Sequence, residues 1–295
     1  MTTTATTSAA HRHCEDVTRH AAANFYYGIR LLPADKRQAM CAVYAFARRV
    51  DDIGDGPLPR IEKLERLAAA RADIEAMSPD SGDPVIAAVA DAANRFPLPL
   101  DAFVDLTKGV GMDVAGTGYE SFDELLVYCR RVAGTIGRLC VAIFGSAEPA
   151  RAVALADDLG VAMQLTNILR DVREDAENGR VYLPAADLRR FGFGDGGATA
   201  IVALAAEGNG SLRPQVADLV RFEARRGREW FDRGLQLVPL LDRRSAACVL
   251  AMTGIYRKLL ERIVAAPEDV LHRRLSLPAW EKAWVATRSM IGAGA

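Results

Sequence analysis

Hydrophobic and polar positions along this chain repeat at helical spacing. Apolar residues recur every three or four positions, while the strict alternation of strands is almost absent. Ala, Leu, Arg and Glu dominate these stretches, and Pro and Gly separate them. We therefore predict an all-α fold of roughly ten or more helices. The predicted helices span about residues 11–29, 34–53, 60–77, 84–95, 99–112, 121–144, 150–178, 212–236 and 240–265.

The first residues have a different composition. They are rich in Thr and Ala and lack both a basic start and an apolar core. We predict a disordered tail over residues 1–10, not a signal peptide, and a single all-α domain over residues 11–295. No apolar run approaches the ~20 residues that a membrane-spanning helix needs.

The overall composition is that of an ordinary globular protein, with 50% hydrophobic and 25% charged residues. The net charge of −1 leaves no basic field for nucleic acid, so we expect no nucleic-acid partner. The 5 cysteines are scattered and never form a CxxC pair, as is typical of a reducing compartment. We expect a cytoplasmic protein.

The stretch from 160 to 184, GVAMQLTNILRDVREDAENGRVYLP, carries a stripe of oxygen-bearing side chains on a predicted helix. Asn167, Asp171 and Asp175 follow one another at every fourth position, and Gln164 precedes them by about one turn. Successive members drift by only ~40° around a helix, so they share one face. Carboxylates stacked in this way repel one another unless a cation lies among them.

A second acidic pair of the same design lies in YAFARRVDDIGD, residues 44–55. Asp51 and Asp55 are again four positions apart, and Arg48 lies on nearly the same face. The opposite face is apolar and predicts a helix buried on one side. A solvated acidic face paired with Arg170 and Arg173 is the alternative interpretation of the later motif. Two such clusters in one chain favour two helices that face each other across a cavity.

The chemistry of these side chains indicates a magnesium–diphosphate site. Hard oxygen ligands without His or Cys favour Mg²⁺, with Mn²⁺ as the alternative, and Mg²⁺ completes its shell with water and phosphate oxygens. Cationic side chains beside the motifs are suited to clamp a diphosphate. The predicted metal ligands are Asp51, Asp55, Asn167, Asp171 and Asp175, and the predicted diphosphate contacts beside them are Arg48, Gln164 and Arg170.

These two motifs, with YCRRVAGTIGR at residues 128–138, resemble the squalene/phytoene synthase family of head-to-head prenyltransferases. The resemblance covers about residues 24–284. The segments NFYYGIRLLP, YAFARRVDDIGD and LVPLLDRRSAACVLAMTGIYRKLL are most similar to bacterial presqualene diphosphate synthases of hopanoid pathways.

The resemblance implies a fold, a reaction and further site residues. The implied fold is an isoprenoid-synthase-type helical bundle around a central apolar cavity. The implied reaction is the Mg²⁺-dependent condensation of two farnesyl diphosphates to presqualene diphosphate, with release of diphosphate. Tyr44, Tyr128, Tyr256 or the released diphosphate would accept the proton. The resemblance places Asn24, Arg180 and Tyr182 near the diphosphate.

Four alternatives remain at this point. A head-to-tail prenyltransferase or terpene cyclase usually shows differently spaced Asp-rich motifs. A phytoene synthase, which joins two geranylgeranyl chains, would share every motif. A squalene synthase would also use NADPH, but the chain has no convincing dinucleotide fingerprint, so we expect no NADPH. A non-catalytic helical scaffold would merely bind cations. Besides the prenyl diphosphate, we expect downstream isoprenoid enzymes as partners and peripheral membrane contact by the cationic and aromatic residues 273–284.

Three further stretches carry structural expectations. The glycine-rich residues 109–118 predict a flexible linker or lid. Glu223, Arg226, Glu229 and Arg233 predict an exposed charged face of one helix. Residues 207–211, EGNGS, predict a loop.

Overall fold

The computed structural model describes residues 2–22, 24–207 and 213–292, and every regular element in them is a helix. The all-α prediction is therefore confirmed. Most of the predicted loop at 207–211 lies outside the described residues. The helices are α1 (Thr2–Ala21), α2 (Tyr26–Ile29), α3 (Ala34–Asp55), α4 (Arg60–Glu75), α5 (Pro84–Arg95), α6 (Leu100–Ala115), α7 (Phe122–Cys129), α8 (Thr135–Phe144), α9 (Pro149–Arg170), α10 (Val172–Glu177), α11 (Ala185–Arg190), α12 (Gly197–Glu207), α13 (Arg213–Gly234), α14 (Arg243–Ala265) and α15 (Ala279–Gly292).

The amino-terminal segment differs from the sequence prediction. Helix α1 begins at Thr2, so residues 2–10 are helical where we expected a disordered tail. It packs against α3 and α5 and buries Ala10 and Cys14, while His11 lies 2.8 Å from the Asp91 carboxylate. The predicted helix 11–29 is divided, because α1 ends at Ala21 and α2 starts at Tyr26.

Helix α3 follows its prediction and carries the first acidic motif to its carboxyl end. Met40, Phe46 and Val50 are buried on the face that the sequence pattern assigns to the core. Near the end of the helix, a Cβ at Gly54 would lie 2.5 Å from the Cγ1 atom of Val110. The glycine therefore lets the acidic end of α3 pack closely against α6.

The predicted helix 121–144 is continuous but changes its winding in the middle. Between α7 and α8, Arg130–Gly134 forms a π-helical turn, an irregularity often found at functional sites. At its start the Ser121 hydroxyl accepts a hydrogen bond from the Glu124 amide, as the capping-box pattern predicts. The Glu124 carboxylate accepts from the amide of Glu120, not from that of Ser121.

The predicted helix 150–178 is broken at Asp171, between α9 and α10. Asp171 has φ −104° and ψ 13°, outside the helical region. The backbone hydrogen bonds nevertheless continue, from the Asp171 amide to the Asn167 carbonyl at 2.9 Å and from the Asp175 amide to the Asp171 carbonyl at 2.8 Å. Asn167, Asp171 and Asp175 therefore keep their helical spacing across a bend that the sequence pattern does not indicate.

Two structural expectations are wrong. Most of the supposed linker at 109–118 belongs to α6, which ends at Ala115 and is capped by Gly116 with φ 69°. Glu223, expected on an exposed face, is only 1% exposed and receives hydrogen bonds from Arg226, which also pairs with Asp187 at 2.9 Å. Asp187 belongs to α11, so α11 packs against α13 near Glu223. The helical period of α13 does not reveal this contact.

Helix α14 carries small residues on its surface, so the neighbouring helices α2 and α15 pack closely against it. A Cβ at Gly254 would lie 2.8 Å from a Val285 methyl of α15, and one at Gly28 would lie 2.9 Å from the Cys248 carbonyl oxygen. All five cysteines are free and buried, as expected for small core residues.

One described helix, α9, is long and apolar enough to cross a membrane by length and composition alone. More than half of that stretch, 56%, is buried in the structure, as expected of a core helix in a bundle.

Candidate active site

A cavity of about 910 Å³ runs between α3 and α9 and changes character along their length. On α3 its wall proceeds from Met40 to Asp55, a distance of about 22 Å along a helix axis. On α9 the wall proceeds in the same sense, from Ala156 to Asp171. The amino-terminal parts of both helices therefore line an apolar section, and both carboxyl ends reach a polar section. All predicted site residues except Asn24 and Tyr256 line this cavity.

The first acidic motif forms one wall of the polar section. The Asp51 side chain opens onto the cavity, but the surrounding protein raises its pKa to about 7, and the neighbouring Asp55 adds to the rise. The guanidinium of Arg48 forms an ion pair of 2.6 Å with Asp52, which lies outside the cavity wall. Tyr44 lies one turn deeper, and burial raises its pKa to about 12.

The second motif forms the facing wall. The Asn167 amide donates to the Gln164 Oε1 atom at 3.2 Å, while the buried Oδ1 atom of Asn167 has no hydrogen-bond partner among the described residues. Burial, reinforced by the charge of Asp171, raises the pKa of Asp175 to about 8. An acceptor oxygen without a donor and a crowded carboxylate both favour a cation at this wall.

Arg180 joins the two motifs. Its guanidinium lies 2.9 Å from the Asp55 carboxylate and 3.3 Å from the Gly54 carbonyl oxygen, at the end of α3. Its own amide donates to the Asp175 carbonyl oxygen at 2.8 Å, at the end of α10. The acidic motifs, far apart in sequence, therefore meet at one end of the cavity.

Asp171 is held by two arginines, one of which the sequence analysis did not assign to the site. Arg170 binds both of its carboxylate oxygens, one of them at 2.8 Å. Arg274 lies 2.9 Å from Asp171 and also lines the cavity. Its position in the cationic and aromatic stretch 273–284 indicated membrane contact instead. Lys63 is a further unassigned cation on the wall and donates to the Gly54 carbonyl at 2.8 Å.

Asp113 is the centre of a tyrosine cluster that the sequence did not predict. Its carboxylate accepts hydrogen bonds from Tyr182 at 2.8 Å and from Tyr128 at 3.0 Å. The two phenol rings stack with centroids 5.1 Å apart, and Tyr119 packs against both. Burial raises the pKa of Asp113 to about 6, and it raises the pKa of Tyr128 well above its ordinary value. The glycine-rich context of Asp113 had indicated a linker, and no other sequence signal marked this residue.

Two predicted site residues lie behind the cavity wall. Tyr256 is buried on α14, and its ring stacks on Phe25 at 5.6 Å between centroids. Phe25 lines the cavity and separates Tyr256 from it. Asn24 and Arg170 interact with the Tyr256 hydroxyl and oppose the rise in its pKa that burial causes. Asn24 and Tyr256 therefore support Arg170 from behind the wall.

The donor set fits Mg²⁺ bound together with a substrate phosphate. Within the described ranges, no group of three or more His, Cys, Asp or Glu side chains is arranged to hold a metal ion by itself. Mg²⁺ commonly takes only one or two protein carboxylates per ion and fills its shell with water and phosphate oxygens. The carboxyl ends of α3 and α9 carry partial negative charge, which favours a cation at the same place.

Comparison with known proteins identifies the family. The sequence profile of squalene/phytoene synthase matches residues 18–281. The chain belongs to the squalene/phytoene synthase family, whose members are prenyltransferases that act on prenyl diphosphates. The family resemblance of the two acidic motifs is therefore confirmed.

Two relatives named phytoene synthase are similar to this chain over most of their length. The chain is 50% identical over 284 residues to the phytoene synthase of Mycobacterium tuberculosis, covering 95% of this chain and 90% of the relative. It is 35% identical to the phytoene synthase of Arthrospira platensis, covering 96% and 93%.

Two solved structures are similar over most of their length. A ligand complex of a dehydrosqualene synthase has a TM-score of 0.86 at 27% identity, covering 98% of each chain. Squalene synthase HpnC from Alicyclobacillus acidocaldarius has a TM-score of 0.76 at 28% identity, covering 87% of this chain and 94% of that one. The isoprenoid-synthase-type fold that the resemblance implied is confirmed.

Proposed function

We propose that this protein condenses two geranylgeranyl diphosphates head to head and is a phytoene synthase. The observation that carries the reaction type is the junction of the two acidic motifs, bridged by Arg180 and Asp55, at the end of an apolar cavity. The support for a C20 substrate is the 50% identity, over 95% of this chain, to proteins named phytoene synthase.

The second candidate is the synthesis of presqualene diphosphate from two farnesyl diphosphates, as in hopanoid pathways. The segments quoted from the sequence favour it, and so do the names of two similar structures, a dehydrosqualene synthase and a squalene synthase. Identity to those structures is 27–28%, well below the identity to the mycobacterial phytoene synthases. We therefore place the C15 substrate second.

The polar section would bind the leaving diphosphate. Asp51, Asp55, Asn167, Asp171 and Asp175 would hold Mg²⁺, which as a Lewis acid neutralises charge on diphosphate oxygens when bound. The arginines already present would hold the anion's remaining oxygens through charge-assisted hydrogen bonds.

Substrate entry requires an exchange of ion pairs in this section. Arg180 is paired with Asp55, whereas Arg170 and Arg274 are both paired with Asp171. These two carboxylates hold the three guanidinium groups in place. A diphosphate would draw the guanidinium groups away from the carboxylates. The freed carboxylates would then become available as metal ligands.

The apolar section would protect the carbocation that forms when the first diphosphate leaves. Its walls include Ile29, Met40, Val43 and Phe144, which keep water away from a cation that would otherwise become an alcohol. In the proposed scheme, C1 of the ionised chain joins the 2,3 double bond of the second chain, and proton loss closes a cyclopropane. For phytoene, the cyclopropyl diphosphate would lose its own diphosphate within the same cavity.

The released diphosphate is the favoured proton acceptor. Tyr44 and Tyr128 have pKa values raised by burial, so both phenols stay protonated, and Tyr256 lies behind Phe25. Aromatic faces such as that of Tyr44 would stabilise the cation by about 1–2 kcal/mol when desolvated.

Product identification tests the proposal. Purified protein is incubated with geranylgeranyl or farnesyl diphosphate and Mg²⁺, with and without NADPH, and products are identified by mass. We expect a C40 hydrocarbon from the C20 substrate without NADPH. Presqualene diphosphate from farnesyl diphosphate as the preferred product would replace the first candidate by the second. Absence of diphosphate release from either substrate would support the non-catalytic scaffold and overturn both.

A further inference from the structure

Helix α15 presents an apolar stripe to solvent. Trp280 is 71% exposed, Trp284 is 55% exposed and Ile291 is 72% exposed. At 100° per residue these positions lie within about 40° of one another around the helix. Val285 and Ser289, which α15 buries against the rest of the protein, lie on the opposite side. The stripe is therefore separate from the face that holds the helix in place.

This stripe is unusual for the surface of a water-soluble bundle. Among the described residues, no other aromatic side chain is comparably exposed. Single exposed aliphatic side chains occur elsewhere, such as Leu100 and Val127, and need no explanation. Two tryptophans and an isoleucine aligned on one helix form a continuous apolar surface that calls for a partner.

The charges of α15 specify the kind of partner. Arg288 is exposed and Lys282 is half-buried, and neither forms an ion pair within the part of the chain that the structure describes. The one acidic residue of the helix, Glu281, is buried and held by Lys258 at 3.0 Å and Arg262 at 2.9 Å. Arg288 lies about 40–80° from the stripe around the helix, so the outward side of α15 combines tryptophan with one uncompensated positive charge, which complements an anionic surface. Lys282 lies about 160–180° from the stripe, on the side that faces Arg170.

The position of the helix connects this surface with the cavity. Arg274, on the polar wall of the cavity, precedes Trp280 by six residues, about 20 Å at full extension. Helix α15 also packs against α2, whose Ile29 lines the apolar section. A partner on α15 would therefore lie beside the substrate cavity.

We propose that α15 docks this protein onto the surface of an anionic phospholipid bilayer, with Trp280, Trp284 and Ile291 inserted among the lipids. Tryptophan favours the boundary between headgroups and acyl chains, and basic side chains strengthen binding to anionic lipid. One further argument rests on the proposed function, since prenyl substrates and a hydrocarbon product both partition into membranes. The other arguments for docking do not depend on that function.

Vesicle flotation tests the proposal directly. The full chain is mixed with vesicles of phosphatidylglycerol and phosphatidylcholine, or of phosphatidylcholine alone. We expect binding to the anionic vesicles only, and Trp280→Ser/Trp284→Ser should weaken it by about tenfold or more, since two large aromatic surfaces no longer insert. The matched control, Val127→Ser/Val153→Ser, removes two exposed apolar side chains elsewhere and should bind like wild type.

A charge pair of variants tests the electrostatic part. Arg288→Glu should weaken binding to anionic vesicles by about fivefold or more, because each basic residue near such a surface contributes about 1 kcal/mol. Arg228→Glu, at an exposed arginine of α13, changes the net charge equally and should have little effect.

Tryptophan fluorescence gives a readout that does not depend on variant folding. The chain has 3 tryptophans, and Trp230 is buried, so quenching by brominated lipids should report on Trp280 and Trp284. Emission of the wild type should be strongly quenched in anionic vesicles. In the double tryptophan variant, the remaining emission of Trp230 should not be quenched.

Several results would overturn the proposal. They are failure of the wild type to float with anionic vesicles, equal loss in both double variants, and a dimer in solution that dissociates when Trp280 and Trp284 are replaced. The last result would assign the stripe to a second copy of this chain. Turnover of detergent-solubilised substrate tests the proposed function separately. Trp280 and Trp284 lie outside the cavity, so their replacement should leave this turnover unchanged.

Discussion

Neighbouring carboxylates on α3 have different surroundings, although they are chemically identical. Asp51 lines the cavity, whereas Asp52 lies outside the cavity wall and pairs with Arg48. If the polar section binds Mg²⁺ and diphosphate, only Asp51 takes part directly. The two positions therefore form a matched pair for testing the site.

Asp51→Asn should lower kcat by about 10²–10³-fold, because one preorganised electrostatic group at the reacting diphosphate is lost. Asp52→Asn should cost less than about tenfold, since a surface ion pair contributes little. Steady-state kinetics with the preferred prenyl diphosphate at saturating Mg²⁺ measures both. Equal losses in the two variants would show that Asp51 has no special role.

Asp113 is a positioning residue for the tyrosines that face the cavity. Its two oxygens accept from Tyr128 and Tyr182, and no other described side chain bonds to both phenols. Through these bonds it sets the orientation of both rings at the cavity wall.

Asp113→Asn should reduce kcat by roughly 10–100-fold, the value of a hydrogen bond to a charged group. Combination with Tyr182→Phe should cost less than the sum of the single changes, because both remove the same bond. Asp101→Asn, at an exposed position of the same helix, is the control. Strict additivity would contradict the coupling and place the effect elsewhere.

At the scale of elements, the packing of α9 on the π-helical turn and α8 determines where the second motif lies. A Cβ at Gly160 would lie 2.4 Å from the Ala133 carbonyl oxygen, and a Cβ at Gly137 would lie 2.3 Å from that of Ala156. Backbone therefore contacts backbone at both glycines. Asn167 follows Gly160 by about two turns and Asp171 by about three, so this contact positions them.

Gly160→Ala should destabilise the protein by about 2 kcal/mol or more, because rigid backbone has to move. Gly227→Ala on α13 is the control, since its Cβ would have an ordinary contact of 3.5 Å with Leu260. That change should stabilise by about 0.5–1 kcal/mol through helix propensity. Urea unfolding measures both. A stable Gly160→Ala variant would show that α9 can move away from its neighbour.

At the scale of the whole molecule, carboxyl groups with raised pKa values make stability depend on pH. Burial raises the pKa of Asp51 to about 7, of Asp113 to about 6 and of Asp175 to about 8, above the 3.8 of an ordinary aspartate. The folded state therefore keeps protons that the unfolded chain has already lost. Glu223, with a pKa raised to about 8 by burial, acts in the same direction.

Without divalent cations, the melting temperature should fall as pH rises from about 5 to about 8, because a raised carboxyl pKa stabilises the folded state only while the group stays protonated. The fall should be at least a few degrees, since a loss of 1 kcal/mol of stability lowers the melting temperature by roughly 2–4 °C in a chain of about this size. Mg²⁺ with inorganic diphosphate should remove most of it by binding the ionised carboxylates.

Asp51→Asn/Asp175→Asn should flatten this dependence, leaving the part due to Glu223 and Asp113. Differential scanning fluorimetry across the pH range measures each case. A melting temperature that rises over the same range would show that these carboxyl groups are ionised without cost in the metal-free protein.

Sequence patterns predicted the site better than they predicted the chain path around it. Asp51 and Asp55, or Asn167 and Asp171, share a face because helical periodicity is local. Mg²⁺ at this oxygen-rich donor set stays a prediction. Asp113 escaped notice because its role depends on Tyr128 and Tyr182, which reach it only through the packing of other elements.

The sequence by itself determined the all-α class, the family and the side chains on each motif's face, since these depend on periodicity and residue type within one helix. Only the tertiary structure decided that Arg180 meets Asp55, that Tyr256 lies behind Phe25, that Glu223 is buried, and that α9 bends at Asp171. Such facts depend on which helices pack together. Packing is set by the shape and volume of side chains distant in sequence, and no local period records it.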